Sequence, residues 1–470
     1  MGRAEIKRFK RGAEEVMSFL KPRLDGKSRI KIIAHSDTDG IASAAILARC
    51  FYYYNVPFTV KFGRVPNDKE ISKMSEDGHD LFIFLDLGSS QSDAINRYIL
   101  SKHMDVIVID HHPGTFIEGP NIAHLNPHIF GLNGATDISA SGATFSVVEQ
   151  LDLRFRPLIG LAIVGAIGDR QDLASGFTGV NDTLIKRGVD LGLLSESEGL
   201  NLIRRSLIPV VECIRTSTRP YIVGLSSNMA TCRSMIDALG ISHFNILSGL
   251  GSECERILSD AIYARVGSIA TNEEFRRTLW GAIYKTNTDD LAGPKELREY
   301  AAILDACGNL KRPEIGFAIA VGDENSQADG LALLNILQEK LLQTMGWIVT
   351  NINSFKETST FRYIYFGEVV DSALLGEALS LSIASGLLST ELPVIGLSDV
   401  ANGQIKISAR CTQMLTKKGV NLGHVLSKTA PEVGGFGGGH DVAAAARIPR
   451  ERMDEFITKL DGACNNLNDK

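Results

Sequence analysis

The chain has 470 residues, 44% hydrophobic and 22% charged, with a net charge of −6. That is enough apolar material for two or three cored domains. The acidic balance excludes a protein that binds nucleic acid through bulk positive charge, so any such site must be a local basic groove.

At the N-terminus, residues 3–24 carry Ile6, Phe9, Val16 and Phe19 at roughly helical spacing, with Lys7, Arg8, Lys10 and Arg11 between them. No signal-peptide pattern is present, and Glu5, Glu14 and Glu15 argue against a transit peptide. The stretch is expected to form an amphipathic helix lying on the first domain. From residue 29 to about 126, apolar runs (29–34, 58–62, 81–85 and 105–109) alternate with helix-like stretches (41–54, 68–75 and 92–101). This alternation of apolar runs with helix-like stretches predicts a parallel α/β sheet with strands buried on both faces. Further helices are expected over 142–151 and 181–194, and 157–168 is strongly apolar.

The middle, about 195–345, changes character and reads as mainly helical. A charged stretch at 272–277 runs into Trp280, and 329–347 reads as one long connector helix with Leu331, Leu334, Leu337, Leu341 and Met345 on one side. From about 348 strands and helices return. Residues 361–366, 393–397 and 404–410 are strand-like, 373–388 and 421–430 helix-like, and a Gly-rich run at 434–439 precedes His440 and a final helix from Arg450. No apolar run approaches membrane-span length. Seven scattered cysteines without a Cys-x-x-Cys pair read as reduced thiols of a cytoplasmic protein.

Four of the apolar runs end in ligand-type residues. The first stops at His35-Ser36-Asp37-Thr38-Asp39-Gly40, and the others at Asp86, at Asp110-His111-His112 and at Asp169. Taken alone, Asp39 reads as a helix cap and Asp37 as a polar turn residue. Taken together as parallel strands, all four ends fall on one sheet edge. Clustered carboxylates repel and take up protons unless divalent cations hold them ionised. The pattern therefore predicts a two-metal site. Histidine with carboxylate favours Mn²⁺, with Mg²⁺ or Co²⁺ as substitutes. Two such ions about 3.5–4 Å apart suit phosphodiester hydrolysis.

His35-x-Asp37-x-Asp39-Gly40-Ile41, Asp86, Asp110-His111-His112 and Gly168-Asp169 resemble the four motifs of the DHH phosphoesterase family. Ser408-x-Arg410 and Gly438-Gly439-His440 resemble the second domain of its DHHA1 branch. Within that family the chain is most similar to the archaeal RecJ-like single-strand exonucleases, which also carry a segment like Ala306-Cys307-Gly308. The resemblance implies a parallel-sheet DHH domain over 1–200, an inserted and connecting segment over 201–345, and a smaller mixed α/β DHHA1 domain over 346–470. It implies His35 and Asp37 on one metal, Asp39, His111 and Asp169 on the other, and Asp86 bridging. His112 would touch the scissile phosphate, and Asp110 would orient the histidines. Ser408, Arg410, Gly438, Gly439 and His440 would grip the nucleic-acid strand.

The expected activity is Mn²⁺-dependent 5′→3′ exonucleolysis of single-stranded DNA, and of RNA, in replication and repair. A GINS partnership is implied by the same resemblance. Residues 220–290 carry no motif of their own. The alternatives are a phosphodiesterase for short oligonucleotides or cyclic dinucleotides, and a GINS-bound replication scaffold whose nuclease activity is incidental. Several local features have blander readings. Ser139, Ser141, Gly142 and Thr144 open a helix as an N-cap or a phosphate site. Arg204-Arg205 and Lys311-Arg312 read as solvated pairs, and Tyr52, Tyr53 and Tyr54 as packing residues.

Overall fold

Asp37 sets the first turn of the chain's central helix, because its carboxylate accepts the Gly40 N–H at 3.0 Å and so caps the helix N-terminus. The computed structural model in which this is seen describes residues 2–173, 176–271 and 273–468. Asn272, at the head of the charged stretch before Trp280, lies outside them, as do the last two residues.

In chain order the first elements are α1 (Arg3–Leu20), β1 (Ile30–His35), α2 (Thr38–Tyr53), β2 (Phe58–Gly63), α3 (Asp68–Met74), β3 (Leu81–Leu85), α4 (Ser92–Tyr98), β4 (Asp105–Ile109) and β5 (Ile122–Leu125). The five strands form a sheet in the order β2-β1-β3-β4-β5, every neighbouring pair parallel. β3 is buried along its whole length, as a central strand covered on both faces must be. The register aligns the ends of β1, β3 and β4, with Ala34 opposite Leu85 and Leu85 opposite Ile109. The residues after those positions therefore emerge on one edge. α1 turns Phe9, Ala13, Val16 and Leu20 inward, and Phe9 meets Phe130 edge-on with ring centroids 5.7 Å apart. Burying Phe9, Val16 and Leu20 contributes about 1.5–3 kcal/mol each.

Three more helices follow: α5 (Ala140–Val148), α6 (Ile159–Gly168) and α7 (Gly179–Asp190). The apolar run before Asp169, read above as a strand like the others, is thus a helix. Gly160, Gly165 and Gly168 explain it. A Cβ on Gly165 would collide with Ser141 and Asp39, and one on Gly168 with Thr38. Gly165 and Gly168 let α6 lie against α2 and α5, Gly160 lets it approach Leu291, and all of Ile159–Ile167 is buried.

β6 (Leu194–Leu200) leads toward Ser206. The chain then forms α8 (Val210–Arg215), α9 (Met229–Ala238), α10 (Ser252–Val266) and α11 (Glu273–Leu279), and returns through β7 (Trp280–Thr286), which pairs antiparallel with β6. Neither strand was expected in this part of the chain. α12 (Leu297–Asn309), α13 (Pro313–Val321) and the long α14 (Gln327–Thr350) follow. The chain divides into two compact units, Met1–Ser206 with Trp280–Leu337, and Leu207–Leu279 with Gln338–Lys470.

The second unit carries β8 (Lys356–Glu357), β9 (Arg362–Gly367), α15 (Leu375–Ala384), β10 (Val394–Val400), β11 (Gln404–Arg410), α16 (Gln413–Lys417), α17 (Leu422–Thr429), β12 (Phe436–Gly439), β13 (Ala443–Pro449) and α18 (Met453–Asn468). Its mixed sheet runs β12-β13-β11-β10-β9-β8, with only β9 and β10 parallel. Four of the six residues of the Gly-rich run thus form an edge strand. Ile405, Ile407 and Ala409 of β11 point to one face and join the core with Phe456 and Leu460 of α18. Lys406, Ser408 and Arg410 alternate to the other face.

Candidate active site

The end of β1 delivers His35, the N-terminus of α2 delivers Asp37 and Asp39, β3 delivers Asp86, and β4 delivers Asp110, His111 and His112. Asp169 arrives from a different kind of element, as the residue that ends α6. All eight belong to the first unit. Their donor atoms fall into three close groups: His35, Asp37 and Asp86; Asp86, His111 and His112; and Asp39, His111 and Asp169. Within each group the atoms lie within 4.8 Å of one another, and Asp86 and His111 each belong to two groups.

Asp86 is 1% exposed and holds a left-handed backbone conformation at φ 58°, unusual for a residue with a side chain. Nδ1 of His35 lies 3.3 Å from one of its oxygens and Nε2 of His111 lies 3.1 Å from the other, yet neither oxygen receives a well-directed hydrogen bond. Burial opposes its charge, but the two histidines outweigh burial and hold the carboxyl well below the usual range.

His111 has its tautomer set from behind. Its Nδ1 lies 2.7 Å from the Gly134 carbonyl, which can only accept, so Nδ1 carries the proton. Nε2 then faces Asp86 at 3.1 Å, Asp169 at 3.2 Å and Asp39 at 3.9 Å, and against the effect of burial these carboxylates raise the ring well above its ordinary value. A lone pair among three carboxylates is stable only with a cation or an added proton between them. Oδ2 of Asp169 likewise lacks a well-directed partner. This donor set of buried, ill-satisfied oxygens and inward nitrogens fits divalent cations.

Asp39 is fully buried and does not cap its own helix. It accepts the Ala140 N–H at 2.6 Å and the Ser141 N–H at 2.9 Å, so it occupies the positive end of α5. Ser139 is the cap there, accepting from Gly142 N–H at 3.2 Å. The phosphate-site alternative for this helix end is therefore closed by a protein carboxylate. Burial and the charge of Asp86 push the Asp39 carboxyl up to about 6. For His35, burial works the other way, but the hydrogen bond to Asp37 (2.6 Å) and the nearby Asp86 carboxylate raise it to about 11.

Asp110 accepts from the His111 N–H (2.8 Å), the His112 N–H (3.1 Å) and His112 Nδ1 (2.9 Å) on one oxygen, and from the Ser89 N–H (2.9 Å) on the other. It anchors the turn that carries both histidines. Residues outside the motifs complete the frame. Asn126 Nδ2 donates to the His112 carbonyl at 2.9 Å, and Gln171 Nε2 donates to the Gly134 carbonyl at 2.9 Å. Sequence reasoning missed Asn126, Gly134 and Gln171, because they act on backbone atoms or on the back of a ligand.

The remaining expected site residues lie in the second unit. Ser408 is buried on β11. Arg410 is held over Gly376 of α15, with Nε donating to Ser380 Oγ at 3.1 Å and Nη1 to the Ala409 carbonyl at 2.9 Å. A bidentate phosphate pairing by Arg410 must therefore be made by a guanidinium already hydrogen-bonded on two nitrogens. Gly438 sits across β13 from Ser408, each paired with Ala445, about 10 Å apart at normal strand spacing. His440 is exposed just past β12, its N–H donating to the Ala443 carbonyl.

Other readings are settled by contacts. Arg205 is 4% exposed and pairs with Glu296 at 2.6 Å, so it is a buried ion pair and not a solvated one. Tyr53 and Tyr54 pack on Phe155, and Tyr52 on Phe58. All seven cysteines are free thiols. Among the described residues no helix is long and apolar enough to cross a membrane.

The DHH family N-terminal domain matches residues 29–165, and the DHHA1 domain matches residues 365–466. The chain belongs to the DHH–DHHA1 family. An uncharacterized protein of Methanocaldococcus jannaschii, MJ0831, is 27% identical over 95% of this DHH–DHHA1 chain and 96% of its own length. The fold is similar to that of exonuclease RecJ bound to manganese, with a TM-score of 0.60 and 16% identity over 97% of this chain and 94% of that one. It is also similar to CDC45 from Entamoeba histolytica, with a TM-score of 0.67 and 14% identity over 97% of this chain and 99% of that one. DHH-type proteins are phosphoesterases, and the acidic cluster places this chain among candidates for metal-dependent hydrolysis.

Proposed function

We propose that this chain is a Mn²⁺-dependent exonuclease that removes nucleotides from single-stranded DNA, and from RNA, with 5′→3′ polarity, in the cytoplasm. The observation that carries the proposal is Asp86, a buried carboxylate shared between two ligand groups with neither oxygen properly hydrogen-bonded. In this reading His35 and Asp37 hold one ion, Asp39, His111 and Asp169 hold the other, and Asp86 lies between. Ions held there would neutralise phosphoryl oxygens and lower the pKa of water at the scissile bond.

The chain's own part is positioning. The Gly134 carbonyl keeps His111 Nε2 inward, and the N–H groups of α5 stop Asp39 from turning away. Asp110 holds His112 by Nδ1 and so fixes the ring that would meet a phosphoryl oxygen. Burial lowers the basicity of His112, but Asp110 and Asp86 more than restore it, so Nε2 can donate a proton in that contact. Ser408, Arg410 and the backbone of Gly438 and Gly439 would hold the strand.

Single-stranded DNA and RNA, labelled at each end in turn and incubated with Mn²⁺, test the reading. Stepwise loss from the 5′ end supports it. Hydrolysis of pyrophosphate or of dinucleotides with the long strand left intact overturns it. The likeness in fold to CDC45 over 97% of this chain favours a second role as a replication scaffold with GINS as partner. Capture of GINS by a catalytically dead Asp86→Ala chain tests that role separately.

A further inference from the structure

Phe436 lies on the edge strand of the second unit's sheet and is 63% exposed. An exposed ring on a sheet edge gains little from packing and invites aggregation. Its surroundings point to a use. Its neighbour Gly437 faces α17, where an added Cβ would meet the Leu426 carbonyl at 2.8 Å. Alternation then turns Phe436 and Gly438 to the opposite face, and a Cβ on Gly438 would meet nothing within 4 Å.

The strand register shows what shares that open face. Phe436 stands opposite Arg447, which stands opposite Lys406; one step along, Gly438, Ala445 and Ser408 line up in the same way. Arg447 and Ala445 are exposed. Burial, then the charges of Arg447 and Arg410, hold the Lys406 ammonium below its ordinary value, so the three cations share one field. The face therefore offers a bare aromatic ring, a strip of backbone without side chains, and positive charge beside both. A ring has nothing to offer a bare phosphoester. Every nucleobase has a π-face to stack on it, whatever the sequence, while cations take the backbone.

We propose that Phe436 is a stacking platform for an unpaired nucleobase, with Arg447 on the adjoining phosphate, so that this face takes a base-bearing single strand. The inference rests on the single-strand reading above and adds to it the residue that senses bases. Because the ring is mostly in solvent, removing it leaves the fold intact.

The test uses the full-length Asp86→Ala chain, which leaves the strand uncut. Fluorescence anisotropy is measured with oligothymidylate and with an abasic strand of equal length. The expected result is about ten-fold weaker binding of oligothymidylate by Phe436→Ala. Affinity for the abasic strand should stay unchanged, and Phe436→Trp should restore the difference. A Phe436→Ala chain that keeps its preference for bases over abasic strand overturns the inference alone. A parent chain that binds neither strand overturns the single-strand reading, and the inference with it.

Discussion

Gly165→Ala is a single-methyl change that should damage the active site without replacing any ligand. The added Cβ would lie well inside van der Waals contact with Ser141 Oγ and Asp39 Oδ1. Neither neighbour can yield cheaply. Asp39 is pinned by two N–H donors, and Ser141 Oγ donates to the Ala162 carbonyl at 2.9 Å. Overpacking a full core costs about 1–3 kcal/mol, and a clash with groups so held belongs at the upper end, about 3 kcal/mol. A ligand moved by about 1 Å should cost about a hundred-fold in rate. Gly346→Ala is the control, since a Cβ there meets nothing within 4 Å in mid-helix. It should stabilise by about 0.5–1 kcal/mol. Urea melts and Mn²⁺-dependent cleavage rates, measured on both variants, read the difference. If Gly165→Ala melts and cleaves like wild type, α6 does not approach Asp39 as described and the packing argument is wrong.

Asp86→Ala should abolish cleavage, because two ligand groups lose a shared donor. It should also remove the stabilisation by Mn²⁺, which for the wild type reaches about 2.7 kcal/mol at a hundred times the dissociation constant and is read by thermal melts. Arg410→Ala should weaken strand binding while leaving Mn²⁺ stabilisation unchanged, as anisotropy and melts on one preparation can show. Glu299 provides a pH test away from the metal cluster: burial, then the charge of Glu296, raises its carboxyl from 4.5 to about 7. The folded state then binds the proton more tightly than the unfolded chain. The stability this contributes is full below 4.5 and is lost as pH rises through about 7, by up to about 3 kcal/mol. Glu299→Gln should flatten that part of the stability–pH curve, and an unchanged slope counts against the buried position of Glu299.

The legibility of the sequence followed from which physical signal each element carries. β3 is apolar throughout, and β1 and β4 are so apart from Lys31 and Asp105, because both faces are covered, and their polar ends stand out against that background. Three of the four segments that meet at the site were therefore readable as strand ends. α6 has the same apolar continuity for a different reason, burial on all sides of a helix, and periodicity cannot separate the two. Its glycines were the available signal, since they mark close helix approach better than they mark a strand. β6 was missed because Ser195 to Glu198 are polar and its core contacts come only at Leu194, Gly199 and Leu200. Gly308 in the Ala306-Cys307-Gly308 segment was noticed as part of a motif, but its reason appears only in three dimensions: a Cβ there would strike the Ser36 carbonyl. It lets α12 lie on the loop between His35 and Asp37.

The misread helix changes how the site works electrostatically. Had Asp169 come from a strand, it would stand in a field with little net dipole. As the residue that ends α6 it sits at the negative end of a helix, whereas Asp39 sits at the positive end of α5. The two carboxylates share the side chain of His111 but are held in opposite fields. Asp39 is stabilised as an anion by two N–H donors. Asp169 faces buried surroundings, then the charge of Asp39, and its carboxyl is raised well above the usual range. Both carboxyls are raised, Asp39 to about 6 even though two N–H donors favour its anion, so both would gain from an external positive charge. A cation between them would satisfy Asp169, His111 Nε2 and Asp39 at once, whereas a proton can satisfy only one of them. The end of α6 and the start of α5 thus hold two carboxylates in opposite helix fields beside one histidine, an arrangement that would favour a multivalent ion over a proton.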